Sequence, residues 1–440
     1  MRRVAARLLL CFTCCPGVLA AATLHAGPDD YLSRLAELQP GDELLLAPGV
    51  YRGGLPVHRL LGTAEQPIII AGDPDKRAVF LARANRNTVS IVDSAYVTVR
   101  NLVLDGGDQP ADGVRAEGNA QWAHHITLEH LLIVRHGVDQ GYVGISTKCP
   151  AWNWVIRDNR IVGAGTGMYL GNSDGRAPFV VGLIERNVVA DSIGYNLQIK
   201  HQQPRPPLPD MPVQPSRTLI RHNVFIKGHN SSSGIAARPS VLVGHWPLQG
   251  AGQDDLYEIY GNLFYQNPSE ALFQGEGNIA FYHNVLFNSH GDAVHIQPHN
   301  DIPRRIDIFR NTVLATGDGI LIRNPLFGAG EPQRVYANAV FSARGNSGGE
   351  RWGNVEAEWQ AAPQYLRAPF ASAGASRLYP LPGRLRLDSA DPAWLTAYTD
   401  AVRDFDGRRF ASRYVGAYAT ASGQPLAPYL AGRLTPGDAP

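Results

Sequence analysis

The stretch FYHNVL (residues 281–286) decides the fold, because close variants of it recur along this chain of 440 residues. The variants are VRNLVL (99–104), LEHLLI (128–133), IRDNRIV (156–162), IERNVV (184–189), IRHNVF (220–225), IYGNLF (259–264), IFRNTV (308–313) and VYANAV (335–340). The Asn positions, with His130 in the Asn place of the second variant, lie 29, 29, 28, 36, 39, 22, 27 and 27 residues apart. A period in the twenties with insertions of varying length is typical of a solenoid.

A second repeat has the period of two that a strand with one buried face requires. Its members are GVRAEG (113–118), GISTKC (144–149), GMYLGN (167–172), NLQIKH (196–201), GIAARP (234–239), ALFQGE (271–276), AVHIQP (293–298) and GILIRN (319–324). Two strands and an Asn turn per repeat predict an all-β, single-domain, right-handed parallel β-helix. Stacked asparagines can bond the coils above and below, which satisfies backbone groups that a turn leaves open.

Composition agrees with this fold class and limits the partners. Glycine is abundant (46 residues) and charged residues make up 18% of the chain, which suits a turn-rich β protein. The formal net charge is +1, so bulk electrostatics favour neither nucleic acid nor an acidic membrane surface as a partner. The sequence does not decide the oligomeric state, and we take a monomer as the default.

The N-terminal segment predicts export. Arg2, Arg3 and Arg7 precede an apolar stretch (8–18) and a small-residue cleavage site, so residues 1–22 are expected to be a signal peptide. Three of the four cysteines lie in this segment, and the remaining one, Cys149, is expected to be a buried residue without a disulfide. No later stretch has the length of a membrane span. We expect a periplasmic or secreted protein.

The remaining chain divides into a β-helix (23–345) and a C-terminal irregular cover (346–440). A short amphipathic helix at PDDYLSRLAEL (28–38) is expected to cap the first coil, whose open edge would otherwise favour aggregation. Insertions at 202–216 and 241–255 follow strands of the second repeat. We expect both to form walls of a groove.

The fifth position of the second repeat is rich in cations. It reads Glu117, Lys148, Gly171, Lys200, Arg238, Gly275, Gln297 and Arg323. In-register stacking would place Lys200 and Arg238 about 4.8 Å apart, with repulsion lowering the lysine pKa. A base and a fixed cation suit a hexuronate, whose carboxylate must be neutralised before C5 loses its proton. Lys200 and Arg238 are therefore the predicted catalytic pair, although a solvated cationic face remains an alternative.

Other residues of these strands and insertions are predicted to bind the substrate. Tyr169, Gln198, Phe273 and His295 occupy the outward third position of the repeat. Tyr169 is a candidate acid toward the leaving oxygen, or an aromatic platform for a sugar. The full predicted set is Lys148, Tyr169, Gln198, His201, His245, Phe273, His295 and Arg323. The scattered histidines do not form a metal-binding motif, so no metal ligand is assigned.

The chain resembles the β-helical polysaccharide lyases related to chondroitinase B and the family 6 alginate lyases. The resemblance covers the signal, LAPGVY (46–51), the coils and a closing DFDG phrase (404–407). Its specific part is a Lys on one strand and an Arg on the next coil, which Lys200 and Arg238 match. It implies β-elimination of an anionic, uronate-containing polysaccharide such as alginate or a glycosaminoglycan.

The calcium site of that group lacks its usual acidic ligands here. Thr166 stands where the family has a Glu, and Ile193 and Tyr195 occupy the region of an expected acidic pair. We therefore assign no cofactor, and calcium stays open as an alternative. A glycoside hydrolase, a uronate C5-epimerase and a non-catalytic polysaccharide-binding protein remain alternatives. For the hydrolase, which needs two nearby carboxylates, the outward column offers only Glu117 and Glu276.

Overall fold

The computed structural model describes residues 21–75, 77–228, 230–323, 331–372, 374–410 and 414–431. The predicted signal peptide lies outside this part of the chain, except for its last two residues. Within it the protein is a parallel β-helix, as predicted: each coil contributes one strand to each of three faces, and like strands pair in parallel from coil to coil.

The first face precedes the Asn turns. Its strands are Thr23–Ala26, Glu43–Leu46, Ile68–Ala71, Ser94–Arg100, Ala123–Glu129, Val155–Arg157, Leu183–Glu185, Arg217–Arg221, Leu256–Tyr260, Gly277–Tyr282, Pro303–Phe309, Gln333–Tyr336 and Glu350–Trp352, with Ala151–Trp152 and Phe179–Val180 as side strands.

The second face follows those turns. Its strands are Gly49–Tyr51, Ala78–Leu81, Val103–Asp105, Leu132–Val134, Arg160–Val162, Val188–Ala190, Val224–Ile226, Leu263–Tyr265, Val285–Asn288 and Val355–Ala357.

The third face, here called the groove face, carries the second sequence repeat. Its strands are Leu55–His58, Val89–Val92, Val114–Ala116, Val143–Thr147, Thr166–Leu170, Leu197–Ile199, Val241–Val243, Phe273–Gly275 and Val294–Ile296. Two long strands, Thr312–Ile322 and Ala339–Ser347, run through both the second face and the groove face. Parallel pairing continues to Ala357, past residue 345 where the sequence repeat fades.

An asparagine ladder runs inside the turn between the first and second faces. In each step one Asn donates its side-chain N–H to the side-chain oxygen of the next, as between Asn187 and Asn223 at 2.9 Å. The ladder contains Asn159, Asn187, Asn223, Asn262, Asn284, Asn311, Asn338 and Asn354. Each oxygen also accepts a neighbouring backbone N–H, so the turn's backbone donors are satisfied away from water.

The prediction is wrong for two members of this ladder. Asn101 and His130 stand one position earlier, at the turn residue whose φ is positive (58° and 53°). The later coils place residues such as Asp158 and His283 there, also with positive φ. In the first coils the ladder position is filled by the fully buried Leu102 and Leu131 instead. In the sequence repeat, VRNLVL and LEHLLI are therefore aligned one residue out of step with the later variants.

The ends of the solenoid are covered as expected, although the first helix is shorter than predicted. The helix spans Tyr31–Leu35, and the Tyr31 hydroxyl donates to the Gly54 carbonyl at 2.7 Å. The C-terminal segment forms short helices and one antiparallel pair: Trp359–Gln364, Leu366–Ala368, Arg377–Pro380, Ala393–Ala397 and Ala427–Leu430. It packs against a stack of three rings on the first face, Tyr260, Tyr282 and Phe309.

Cys149 is buried and is a free thiol, as predicted. Burial raises its pKa to about 12, so the thiolate is not formed near neutral pH. No helix in the described part of the chain combines the length and apolar character needed to cross a membrane.

Candidate active site

An open groove of about 550 Å³ lies on the groove face where three consecutive strands end. The strands Val143–Thr147, Thr166–Leu170 and Leu197–Ile199 place alternate side chains outward. The residues that line the groove are Asp112, Arg115, Gln140, Gly141, Val143, Lys148, Thr166, Tyr169, Tyr195, Gln198, Lys200 and Arg238. Of the predicted site residues, the structure brings together Lys148, Tyr169, Gln198, Lys200 and Arg238.

Three cations in the groove have no carboxylate partner within the described part of the chain. Lys148, Lys200 and Arg238 take part in none of its salt bridges. The lining carboxylate, Asp112, is occupied: one oxygen accepts the Val143 backbone N–H at 2.9 Å, and the other accepts Arg115 at 3.0 Å and the Ser146 hydroxyl at 3.1 Å. The groove is therefore positively charged although the whole chain is almost neutral.

Both groove lysines have lowered pKa values. Burial, followed by the charge of Arg115, lowers the pKa of Lys148 to about 8. Burial also lowers the pKa of Lys200, and Glu276 acts in the opposite direction. The Lys148 ammonium lies 3.5 Å from the ring centroid of Tyr169, a cation–π contact.

Two tyrosines in the groove keep their protons near neutral pH. Burial raises the pKa of Tyr169 and of Tyr195 above the ordinary value. The guanidinium carbon of Arg238 lies 5.9 Å from the ring centroid of Tyr195. Two hydroxyls that can donate a proton thus face the same space as the cations.

The predicted register of Arg238 with Lys200 is wrong. The segment GIAARP is a 3₁₀ turn (Gly234–Ala236), and the next groove-face strand is Val241–Val243, which pairs with Leu197–Ile199. The residue in step with Lys200 is Gly244, whose N–H bonds to Ile199. Pro239 cannot donate within a ladder, and the apolar VLV triplet after it fills the core instead. Repulsion by Arg238 is accordingly not what lowers the Lys200 pKa.

Arg238 reaches the groove from this turn. Its guanidinium donates to the carbonyls of Ile235 and Ala237 at 3.0 and 2.7 Å. Its own carbonyl accepts the Lys227 ammonium and the Asn267 amide, both at 3.0 Å. Two buried side chains therefore anchor the turn through the Arg238 carbonyl.

Five other predicted contacts lie outside the groove. Phe273 is fully buried because the strand register is one residue different from the predicted one, and Gln274 takes the outward position beside His295. Arg323 keeps its predicted column position, but four coils separate it from Lys200, about 19 Å. His201 and His245 line a neighbouring pocket, with ring centroids 5.3 Å apart.

The fifth of these contacts, His295, lies three coils from Gln198 and stands between Asp292 and Asp318. The insertion 202–216 does not form the predicted groove wall, and the insertion 241–255 begins with a strand of the groove face itself, Val241–Val243. The proline-rich insertion packs Leu208 and Met211 against Trp152 and Val180, away from the groove.

Seven lining residues are absent from the predicted set: Asp112, Arg115, Gln140, Gly141, Val143, Thr166 and Tyr195. Tyr195 stands two residues before the strand Leu197–Ile199, and its aromatic side chain in a polar loop was an available signal. Gln140 comes from a loop between strands, for which the repeat gives no position. Thr166 and Asp112 stand just before the outward positions that the repeat identifies.

The groove does not fit the calcium arrangement of the resembling lyases. Calcium takes six to eight oxygen ligands, usually including several carboxylates. Thr166 is buried, and its hydroxyl donates to the Gln140 carbonyl. Asp112, the lining carboxylate, is already bonded on both oxygens. Neutralisation of a substrate charge would therefore fall to the side chains of Lys148, Lys200 and Arg238.

Comparison with known proteins supports the fold. No protein-family model and no curated protein matches the chain. Pectate lyase Pel9A is 12% identical with a TM-score of 0.50, over 91% of this chain and 97% of that one. An alginate lyase from Paenibacillus sp. str. FPU-7 is 15% identical, with a TM-score of 0.43, over 77% and 98%.

A GH136 lacto-N-biosidase from Eubacterium ramulus is 14% identical to the chain, with a TM-score of 0.44, over 77% and 68% of the two chains. At such identities the likeness to pectate lyase Pel9A shows the fold alone. That likeness confirms the parallel β-helix and agrees with the resemblance to β-helical polysaccharide lyases.

Proposed function

We propose that this protein is an exported polysaccharide lyase that cleaves an anionic, uronate-containing polysaccharide by β-elimination in the groove. The observation that carries the proposal is the convergence of Lys148, Lys200 and Arg238, without carboxylate partners, on one open groove. A polymer with one carboxylate per sugar supplies the missing charges. The lowered pKa of Lys200 increases the fraction of neutral amine that is available as a base.

The groove can perform each step of the elimination. Arg238 neutralises the carboxylate of the sugar to be cleaved, which acidifies the proton on C5. Neutral Lys200 takes that proton, the electron pair forms the C4–C5 double bond, and the C4–O bond breaks. A tyrosine hydroxyl, from Tyr169 or Tyr195, gives a proton to the leaving oxygen. Lys148, two coils from Lys200, holds the carboxylate of a neighbouring sugar.

The hydrolase alternative lacks free carboxylates in the outward column. Glu117 accepts Asn87 and Ser90 at 2.8 and 2.9 Å. One oxygen of Glu276 accepts three consecutive backbone N–H groups, at residues 299–301. Both acids thus serve as anchors of loops and strands. An epimerase or a binding protein would use the same cationic groove, so product analysis must separate them.

The test is formation of the unsaturated uronate. Mature protein is incubated with alginate, glycosaminoglycans and other uronate polymers, with and without chelator, while ultraviolet absorbance is followed. We expect absorbance to rise on one polymer class, and Lys200→Ala to lower the rate about 10²- to 10⁴-fold. Arg238→Ala should have a comparable effect, and the exposed Arg52→Gln serves as the control.

Several outcomes would contradict the proposed lyase function. Full activity of Lys200→Ala would remove the proposed base. A flat trace on every polymer, with tight polymer binding retained, would favour the binding protein. A flat trace with C5 inversion of the polymer would favour the epimerase.

A further inference from the structure

Outside the groove, Asp292, His295 and Asp318 form a compact cluster on two consecutive coils of the groove face. His295 lies in the strand Val294–Ile296, and Asp292 stands two residues before that strand. Asp318 lies in the long strand of the next coil, at a point where the register shifts. By the strand spacing, His295 is about 14 Å along the axis from Gln198, so the cluster is separate from the groove.

The imidazole of His295 is buried and aimed between two carboxylates without a hydrogen bond. The residue is 8% exposed, and its Nε2 is a buried atom without a hydrogen-bond partner. This nitrogen lies 3.4 Å from Asp292 Oδ2 and 3.6 Å from Asp318 Oδ2. A charge-assisted N–H···O bond would be about 2.7–2.9 Å long. Buried polar atoms in proteins are normally hydrogen-bonded. The protein itself supplies no such partner for this nitrogen.

The other carboxylate oxygens are already used. Asp292 Oδ1 accepts the Asp318 backbone N–H at 2.7 Å. Asp318 Oδ1 accepts the Arg344 guanidinium. These bonds fix both carboxyl groups and leave one oxygen of each turned toward His295 Nε2. The three atoms all lie within 4.8 Å of one another.

We propose that Asp292, His295 and Asp318 bind a divalent transition-metal ion of the zinc type. For tetrahedral coordination with ligand bonds of 2.0–2.2 Å, the ligand atoms stand about 3.3–3.6 Å apart. The two nitrogen–oxygen distances have this length. The site needs only a small approach of the two carboxylate oxygens to hold the ion.

The donor set selects the kind of ion. One imidazole and two carboxylates suit zinc and its neighbours in the first transition row. Calcium prefers six to eight oxygen ligands and gains little from an imidazole nitrogen. Arg344 offsets part of the negative charge of the two carboxylates. The site is still anionic before an ion enters.

An ion here would join consecutive coils and keep one side open. Asp292 and His295 belong to one coil and Asp318 to the next, so a shared ion ties the two together. The Asp292 side chain is 32% exposed, which leaves room for water or an oxygen of a bound sugar on that side. This inference does not depend on the lyase activity.

Metal binding is measured directly on the full mature chain. Protein stripped with a chelator is titrated with zinc chloride and, separately, with calcium chloride in a calorimeter. We expect one zinc ion per chain and no saturable calcium binding. Asp292→Asn keeps the oxygen that accepts the Asp318 N–H but loses the ligand oxygen, and His295→Gln removes the nitrogen. Each should weaken zinc binding at least tenfold.

His58→Ala, at an exposed histidine far along the same face, is the matched control and should bind zinc normally. Thermal unfolding of each metal-free variant verifies that it is folded, and zinc should raise the Tm of the wild type but not of Asp292→Asn. The proposal fails if the wild type takes up no zinc, if both ligand variants bind it as the wild type does, or if calcium binds in its place.

Discussion

At the scale of single residues, the geometry of the groove depends on what separates its two lysines. Lys148 and Lys200 hold the same strand position two coils apart, about 10 Å, and Gly171 stands between them with a φ of 88°. A Cβ on Gly171 would come within 3.3 Å of the Lys200 Cβ. The glycine therefore leaves open a space between two cations, which suits a sugar ring with a carboxylate on either side.

The charge of Lys148 should control binding at alkaline pH. Burial lowers its pKa to about 8, so the ammonium loses its charge as the pH rises through this value. In a Lys200→Ala background, where the substrate is not turned over, we expect a uronate oligosaccharide to bind about tenfold more weakly at pH 9.5 than at pH 7.

The control for this prediction is Lys148→Arg in the same background. Arginine stays protonated, so this variant should keep its affinity at pH 9.5. Titration calorimetry at the two pH values gives both affinities. An equal loss of affinity with arginine at residue 148 would show that another group is responsible.

At the scale of an element, the turn that carries Arg238 depends on a buried lysine beneath it. Lys227 is 2% exposed, and its ammonium donates to the Arg238 carbonyl at 3.0 Å. Burial lowers the Lys227 pKa to about 7, and Glu270 acts in the opposite direction. This turn is thus held by a group whose protonation in the folded protein changes near neutral pH.

The stability of the protein should report this titration. Because the folded-state pKa of Lys227 lies below the ordinary lysine value of about 10.4, the unfolded chain binds more protons between pH 7 and pH 10. Stability from this group therefore rises with pH in that window. Lys227→Met has no such proton, so its free energy of unfolding relative to the wild type should fall by about 2 kcal/mol from pH 7 to pH 9.

Urea unfolding of both proteins at pH 7 and pH 9 measures this difference, and other titrating groups cancel in the comparison. A difference between variant and wild type that does not change with pH would contradict the lowered Lys227 pKa. The proposed lyase activity should also fall in Lys227→Met, because the Arg238 carbonyl loses one of its two donors.

At the scale of the whole molecule, the asparagine ladder ties the coils from Asn159 to Asn354 into one cooperative unit. Each amide in its middle accepts from the preceding asparagine, donates to the following one and also donates to a backbone carbonyl of the preceding coil, as Asn223 does to Ile184 at 2.9 Å. Removing one amide leaves several buried polar groups without partners.

Asn223→Ala should therefore lower the free energy of unfolding by about 2–4 kcal/mol. The backbone N–H and the side-chain amide of Asn187 both lose their acceptor in this variant. Urea denaturation gives the value. Asn300→Ala, at an exposed asparagine, should change it by less than about 0.5 kcal/mol, and an equally small effect of Asn223→Ala would show that the ladder contributes little.

The sequence alone determined the solenoid, its ladder from Asn159 to Asn338 and four of the twelve residues that line the groove. These follow from local periodicity: a strand with one buried face must alternate, and a repeated turn must satisfy the same backbone groups in every coil. Lys148, Tyr169, Gln198 and Lys200 lie on such regular strands, so their common face could be derived from the repeat.

Only the tertiary structure decided the path of Arg238, the burial of Phe273 and the meeting of His295 with two aspartates. At Arg238 a six-residue shift of the register, and at Phe273 a one-residue shift, changes which side chains face outward, and packing across coils sets these shifts rather than the local pattern. The VLV strand displaced GIAARP because apolar residues fill the core better there. Asp292 and Asp318 meet because strands distant in sequence are adjacent in the solenoid.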